Sequence, residues 1–108
     1  MSELGRLRRL HTRCVAKLLD KMFEQGYEPM LGRDGMKHRP GSLHYDGLAT
    51  DIDLTKDGKY LNKTEDHYQF GVFWESLDPL CFWGGNGPKK DGLKHDGNHY
   101  SVTYGGRK

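Results

Sequence analysis

Ser42-Leu43-His44-Tyr45-Asp46-Gly47-Leu48-Ala49-Thr50-Asp51-Ile52-Asp53-Leu54 is the stretch around which the rest of the chain can be read. From Leu48 onward the side chains alternate, with Leu48, Thr50, Ile52 and Leu54 on one face and Ala49, Asp51 and Asp53 on the other. A period of two predicts a strand with one buried face. Asp57-Gly58 follows, a pair that tolerates positive φ and marks a hairpin-like turn. The stretch therefore predicts a strand with a histidine at its entrance and a carboxylate within it. Gly47 and Ala49 are small, which leaves room for a metal or a substrate to approach the backbone.

Upstream, Leu4, Leu7, Leu10, Cys14, Val15, Leu18, Leu19, Met22 and Phe23 recur at helical spacing. Ser2 suits the N-cap and Gly26 the end of this amphipathic helix, whose apolar stripe should face a sheet. Tyr27 to Leu31 is a short strand candidate weakened by Pro29, and Gly32 to Gly41 reads as an exposed loop. Downstream, Thr64 is placed to cap a second helix running to about Leu77, with Tyr68, Phe73, Trp74 and Leu77 apolar. Leu80 to Trp83 reads as a strand, Asn86 to Asn98 as a long polar loop, and His99 to Tyr104 as a final strand. The expected architecture is α+β, a small antiparallel sheet packed by two helices.

The chain of 108 residues predicts one domain over 1–108 with a modest core. Apolar content of 34% against 30% charged residues argues against disorder. Fifteen glycines, most of them after Gly26, predict a loop-rich body. The net charge of +2 is close to balanced. Arg6, Arg8, Arg9, Arg13 and Lys17 read as the solvated face of the first helix, so no nucleic-acid partner is expected. Cys14 and Cys81 do not make a disulfide framework. Cys14 falls on the apolar helix face as a buried thiol, and Cys81 packs beside Phe82 and Trp83. Arginines interrupt the apolar residues near the N-terminus, so no signal peptide is read there. No apolar run approaches the ~20 residues that span a bilayer. A cytoplasmic product without stable membrane association is expected, and a monomer.

The chemistry concentrates at His44, Asp51, Asp96 and His99. Imidazole and carboxylate are both good zinc ligands. An unpaired carboxylate inside an apolar strand is costly, so Asp51 needs a partner. If the strand of Asp51 pairs with the one opened by His99, then His44, Asp51 and His99 can converge. Three protein ligands with a fourth position left for water are the mark of catalytic zinc. Asp96, in a glycine turn three residues before His99, is then placed as a general base. His95 reads as a loop residue that could compete as a ligand beside Asp96, although His99, at a strand start, should be held more rigidly. His11, His38 and His67 read as surface or loop residues, and Glu65, Asp66 and Glu75 as helix-surface charges.

Ser42-x-His44-x-x-Gly47-x-Ala49-x-Asp51 resembles the S-x-H-x-x-G-x-A-x-D signature of the zinc D-Ala-D-Ala carboxypeptidases and the phage L-alanyl-D-glutamate endolysins, which share a metal site with the hedgehog signalling domain. Asp96 and His99 match the closing D-x-x-H of that family. Tyr100 stands where the family usually has Phe, and Trp83-Gly84-Gly85 is similar to the W-G-G of phage members. The order of elements agrees along nearly the whole chain. The resemblance implies a hedgehog-like fold, Zn2+ on His44, Asp51 and His99, and Asp96 as general base. It also implies an arginine that polarises the scissile carbonyl or holds the peptide. Gly32-Arg33-Asp34 is the match, with Arg39 as a substitute nearer the signature. Only eight residues separate Arg33 from Ser42, fewer than the family usually has. Ser42 either hydrogen-bonds substrate or serves as a turn residue bonding its own backbone. Trp83 lines the cleft or belongs to the core.

The activity so implied is zinc-dependent hydrolysis of L-Ala-D-Glu or D-Ala-D-Ala bonds in peptidoglycan stem peptides, by an endolysin acting on the wall after release. The rival class is a zinc-containing wall- or protein-binding module that has lost catalysis. Asp96 discriminates, since a binder has no use for the base.

Overall fold

A computed structural model describes residues 2–32, 41–86 and 96–108. The first helix, α1, spans Glu3–Glu24, and the Ser2 hydroxyl accepts the Gly5 N–H at 3.0 Å as its N-cap. Its buried stripe is Leu7, His11, Cys14, Leu18 and Met22. Leu4, Leu10, Val15 and Leu19 flank that stripe and are partly buried. Phe23, read as part of the stripe, is exposed. It falls beside Met22 in sequence, a helical step of about 100° away from the sheet.

After Gly26, whose φ of +84 turns the chain back, β1 (Glu28–Leu31) forms the edge of an antiparallel sheet. Pro29 is tolerated there because an edge strand has backbone N–H groups without a ladder partner. The central strand is β2, Ala49–Lys56. On one side it pairs with β1 over Ile52–Thr55. On the other it pairs with β3 (Lys59–Leu61) over its last residues and with β5 (His99–Val102) over its first. Strand β4 (Cys81–Trp83) lies beyond β5. Asp57 and Gly58 both have positive φ, 52 and 76, and join β2 to β3 through the tight turn their sequence predicts. The β3 strand itself is an addition to the sequence reading. The last strand, read to Tyr104, ends at Val102, one step before the Thr103 N–H donates to Leu80 O at 2.8 Å in the same β4–β5 register.

The second helix, α2 (Tyr68–Leu77), is preceded by a 3-10 turn over Thr64–His67. The cap is not Thr64: the Asp66 carboxylate accepts the Lys63 N–H at 3.1 Å. Entry through that turn sets the helix phase, so Phe70, Gly71 and Trp74 face inward and Tyr68 is exposed. Trp74 is fully buried, and its Nε1 donates to Phe82 O and Ser101 O, both at 3.1 Å. It ties α2 to β4 and β5; truncation to alanine would cost about 3–5 kcal/mol. Among the described residues the sum is an α+β arrangement of two helices and a five-stranded antiparallel sheet. Among the described residues no helix is long and apolar enough to cross a membrane.

Candidate metal centre

The turn that carries His44 is built by its neighbours. Leu43 and Leu48 are both buried, and the Leu48 N–H donates to Leu43 O at 3.0 Å, so the intervening residues are looped out together. Gly47 closes the loop at φ +72, a conformation that side chains other than glycine rarely adopt. A Cβ there would sit 3.3 Å from Arg8 Nε, so the small residue serves the turn and the arginine over it, rather than making room for a metal. Arg8 reaches from α1 and donates to Asp46 O at 2.6 Å. Arg107 pairs with the Asp46 carboxylate at 2.7 Å and donates to Gly41 O at 2.8 Å. Ser42 takes the turn role: its hydroxyl accepts the His44 N–H at 3.2 Å.

Asp51 and His99 are brought together by strand register. They are direct partners across the β2–β5 pair, where opposed Cβ atoms lie about 4.5–5.5 Å apart. The Ile52 N–H donates to Asn98 O at 2.9 Å, which extends that register into the turn before β5. His44 Nε2 lies 3.4 Å and His99 Nδ1 3.6 Å from Asp51 Oδ1. The two imidazole rings are 5.2 Å apart, edge to face. One donor atom from each of the three residues falls within 4.8 Å of the others. Two imidazole nitrogens and a carboxylate oxygen at these separations can hold a metal ion, and the donor set suits zinc. His44, Asp51 and His99 thus converge as the sequence reading requires.

Asp96 is held to this centre by its backbone. The His99 N–H donates to Asp96 O at 3.1 Å, and the Asp96 N–H reaches Gly84 O at 3.4 Å. Gly84 has no room for a side chain: an added Cβ would collide with Asp96 O and lie 2.9 Å from His99 Cβ. The flanking Gly71 and Gly85 leave space for the Trp83 ring, whose Nε1 donates to Gly97 O at 2.6 Å. Trp83 is therefore a core residue that clamps the Asp96–Gly97 turn. Gly97 is small for a different reason than a sharp turn, since a Cβ there would approach Thr64 Cα to 2.6 Å. Burial pushes the Asp96 carboxyl above its ordinary range, and the Asp51 carboxylate adds to this while His99 opposes it.

Asp96 also lines a polar cavity of about 140 Å³ with Asp53, Lys63, Thr64, His67 and Asn98. A larger groove of about 550 Å³ beside Tyr68 and Trp83 includes none of the three metal donors. None of the three donors lines the polar cavity either.

Three side chains depart from the surface roles expected of them. His11 is buried, with Nε2 2.8 Å from Thr50 Oγ1 and its ring edge-on to Trp74. His67 is buried, with Nδ1 2.9 Å from the Tyr100 hydroxyl. Burial lowers both rings to a pKa of about 4. Their spacing held the signal: His11 sits four residues after Leu7 and three before Cys14, inside the apolar stripe. Glu75 is no free surface charge, since its carboxylate accepts the Trp83 N–H at 2.9 Å and the Asn86 side chain at 2.7 Å. Arg8 and Arg107, which fix the His44 turn, were invisible because their contacts span 38 and 66 residues of sequence. Arg33, Arg39, His38 and His95 lie outside the described residues, as does most of the polar loop read over 86–98. Compared with protein-family models, curated proteins and solved structures, the chain shows no match.

Proposed function

We propose that this chain is a zinc-dependent hydrolase of peptidoglycan stem peptides, of the endolysin type, cutting an L-Ala-D-Glu or D-Ala-D-Ala bond. The observation that carries the reading is the convergence of His44, Asp51 and His99, with Asp96 pinned beside them across Gly84. The S-x-H-x-x-G-x-A-x-D and D-x-x-H spacings support it, because both fall on the residues so gathered. Zinc held by these donors supplies a Lewis acid that polarises a peptide carbonyl and acidifies water.

The chain's own residues do the rest. Asp96 takes a proton from the attacking water and passes it to the leaving amine, so the carboxylate is regenerated in each turnover. Its raised pKa suits that task, because a carboxylate nearer neutrality is the better proton acceptor. Arg33 is proposed to steady the developing oxyanion, with Arg39 the substitute. Ser42, already accepting from the His44 N–H, keeps its own hydroxyl proton to donate to substrate.

The test is mass spectrometry of fragments released from muropeptides of defined stem composition. Release of a fragment with a new D-Glu amino terminus, or of free D-Ala, is expected. Chelation should abolish it and added zinc restore it. Intact muropeptides after incubation with zinc-loaded protein would overturn the proposal.

A further inference from the structure

The metal reading makes no use of the cysteines, yet the fold brings them together from opposite ends of the sequence. Cys14 lies in the buried stripe of α1, and Cys81 opens β4, opposite Val102 of β5. Both are free thiols, 3% and 7% exposed. The Cys81 thiol points at the Cys14 sulfur, with Sγ to Sγ 3.8 Å across 67 residues of sequence. Buried thiols as such are ordinary hydrophobic filling. Two of them in contact are a different chemical object, because the two sulfurs that a disulfide would join are already neighbours. Closing the gap from 3.8 Å to a bond requires a movement of about 1.8 Å.

We propose that Cys14 and Cys81 form a dithiol site that oxidises to an intramolecular disulfide, fastening α1 to β4. Oxidised glutathione is a sufficient oxidant. One protein thiolate attacks a glutathione sulfur, forming a mixed disulfide and releasing one glutathione thiolate. The second protein thiolate then attacks the protein sulfur of that mixed disulfide, forming the Cys14–Cys81 bond and releasing the other glutathione. The two protons lost from the protein thiols are taken up by the two glutathione thiolates, and the protein's two sulfurs are oxidised as glutathione disulfide is reduced.

Burial, and after it the neighbouring Cys14, push the Cys81 thiol well above its ordinary range. The native pair therefore reacts slowly in reducing surroundings and closes when alkaline pH or local opening exposes it to an oxidant. The consequence falls on the sheet that carries the metal donors. Strand β4 pairs with β5, which carries His99, so the bond would tether α1 to that half of the sheet. The proposal is independent of the metal reading.

The test uses the full chain as isolated. It is incubated folded at pH 8 with oxidised and reduced glutathione, then quenched with acid and read by intact mass and by thiol titration in denaturant. The expected result is a mass lower by about 2 Da. Both thiols should be lost to titration, a Cys14–Cys81 cross-linked peptide should appear on digestion, and Tm should rise by about 10 °C. Cys14→Ala under the same conditions should give only an unmodified chain or a glutathione adduct. Two titratable thiols in the oxidised wild type, or glutathione adducts without the cross-link, would overturn the proposal.

Discussion

Two pairs of histidines lie among the described residues, and they differ less in exposure than in what they face. The His44 and His99 side chains are each 14% exposed, against 5% and 2% for the residues His11 and His67. The first pair flanks the Asp51 carboxylate from a turn and from a strand start. The second pair faces hydroxyls, Thr50 for His11 and Tyr100 for His67, from helical segments. A hydroxyl satisfies a neutral imidazole and leaves no reason to charge it. A carboxylate between two imidazoles assembles three donors around one point, which is what a divalent cation requires. Histidine is thus scaffold at one pair of positions and a candidate metal ligand at the other, and the partner decides which.

The largest expected effect breaks the reactive side of that contrast while leaving its geometry. Asp96→Asn keeps size and backbone contacts and removes the carboxylate proposed as the base. Hydrolysis of muropeptides should fall by about 10²–10⁴-fold with the circular dichroism spectrum unchanged. A wild-type rate in this variant would place the base elsewhere, with His95 the next candidate.

The scaffold side is tested by acid. The His67 ring protonates near pH 6.5 in an unfolded chain but resists to about 4 when folded, because burial disfavours its charge. Between those values the unfolded state binds more protons, so stability falls as pH drops through the window. The contribution is about 3 kcal/mol at most for one such ring. In metal-free protein, urea midpoints of wild type and His67→Gln should converge as pH falls from 7 to 4.5. Parallel profiles would mean that His67 already carries its proton in the fold.

A smaller effect joins the two regions. Gly84→Ala puts a methyl group into Asp96 O and His99 Cβ, and relief of that overlap should cost about 1–3 kcal/mol of stability. Zinc affinity should drop with it, because His99 moves; calorimetric titration with zinc would detect this. The smallest effect is expected at Arg107→Ala. The Arg107–Asp46 pair is partly exposed, so its loss should cost no more than about 1 kcal/mol in thermal unfolding. A larger loss would show that the His44 turn depends on that arginine more than its exposure suggests.

Much of this was legible in the sequence for a physical reason. The alternation over Leu48 to Leu54 specifies β2, and the Asp57-Gly58 pair specifies the turn that follows. Once β2 and β5 pair in the register that sets Asp51 opposite His99, the turn held by Arg8 and Arg107 adds His44. What could not be read were contacts set by packing between distant segments. The phase of α2 depended on a 3-10 turn at Thr64–His67, which moved Tyr68 outward and Phe70 inward. The burial of His11 and His67 was missed by residue type, although the spacing of His11 pointed inward. The glycines at 84 and 97 look like loop punctuation in sequence, but they mark places where another backbone passes too close for a Cβ.

The central claim is that three residues, and not Asp96, hold a metal. Elemental analysis of purified wild type, His44→Ala, His99→Ala and Asp96→Asn tests it directly. About one zinc per chain is expected in wild type and in Asp96→Asn, with zinc lost from both histidine variants. Full zinc retention in the two histidine variants, or its loss from Asp96→Asn, would contradict the account.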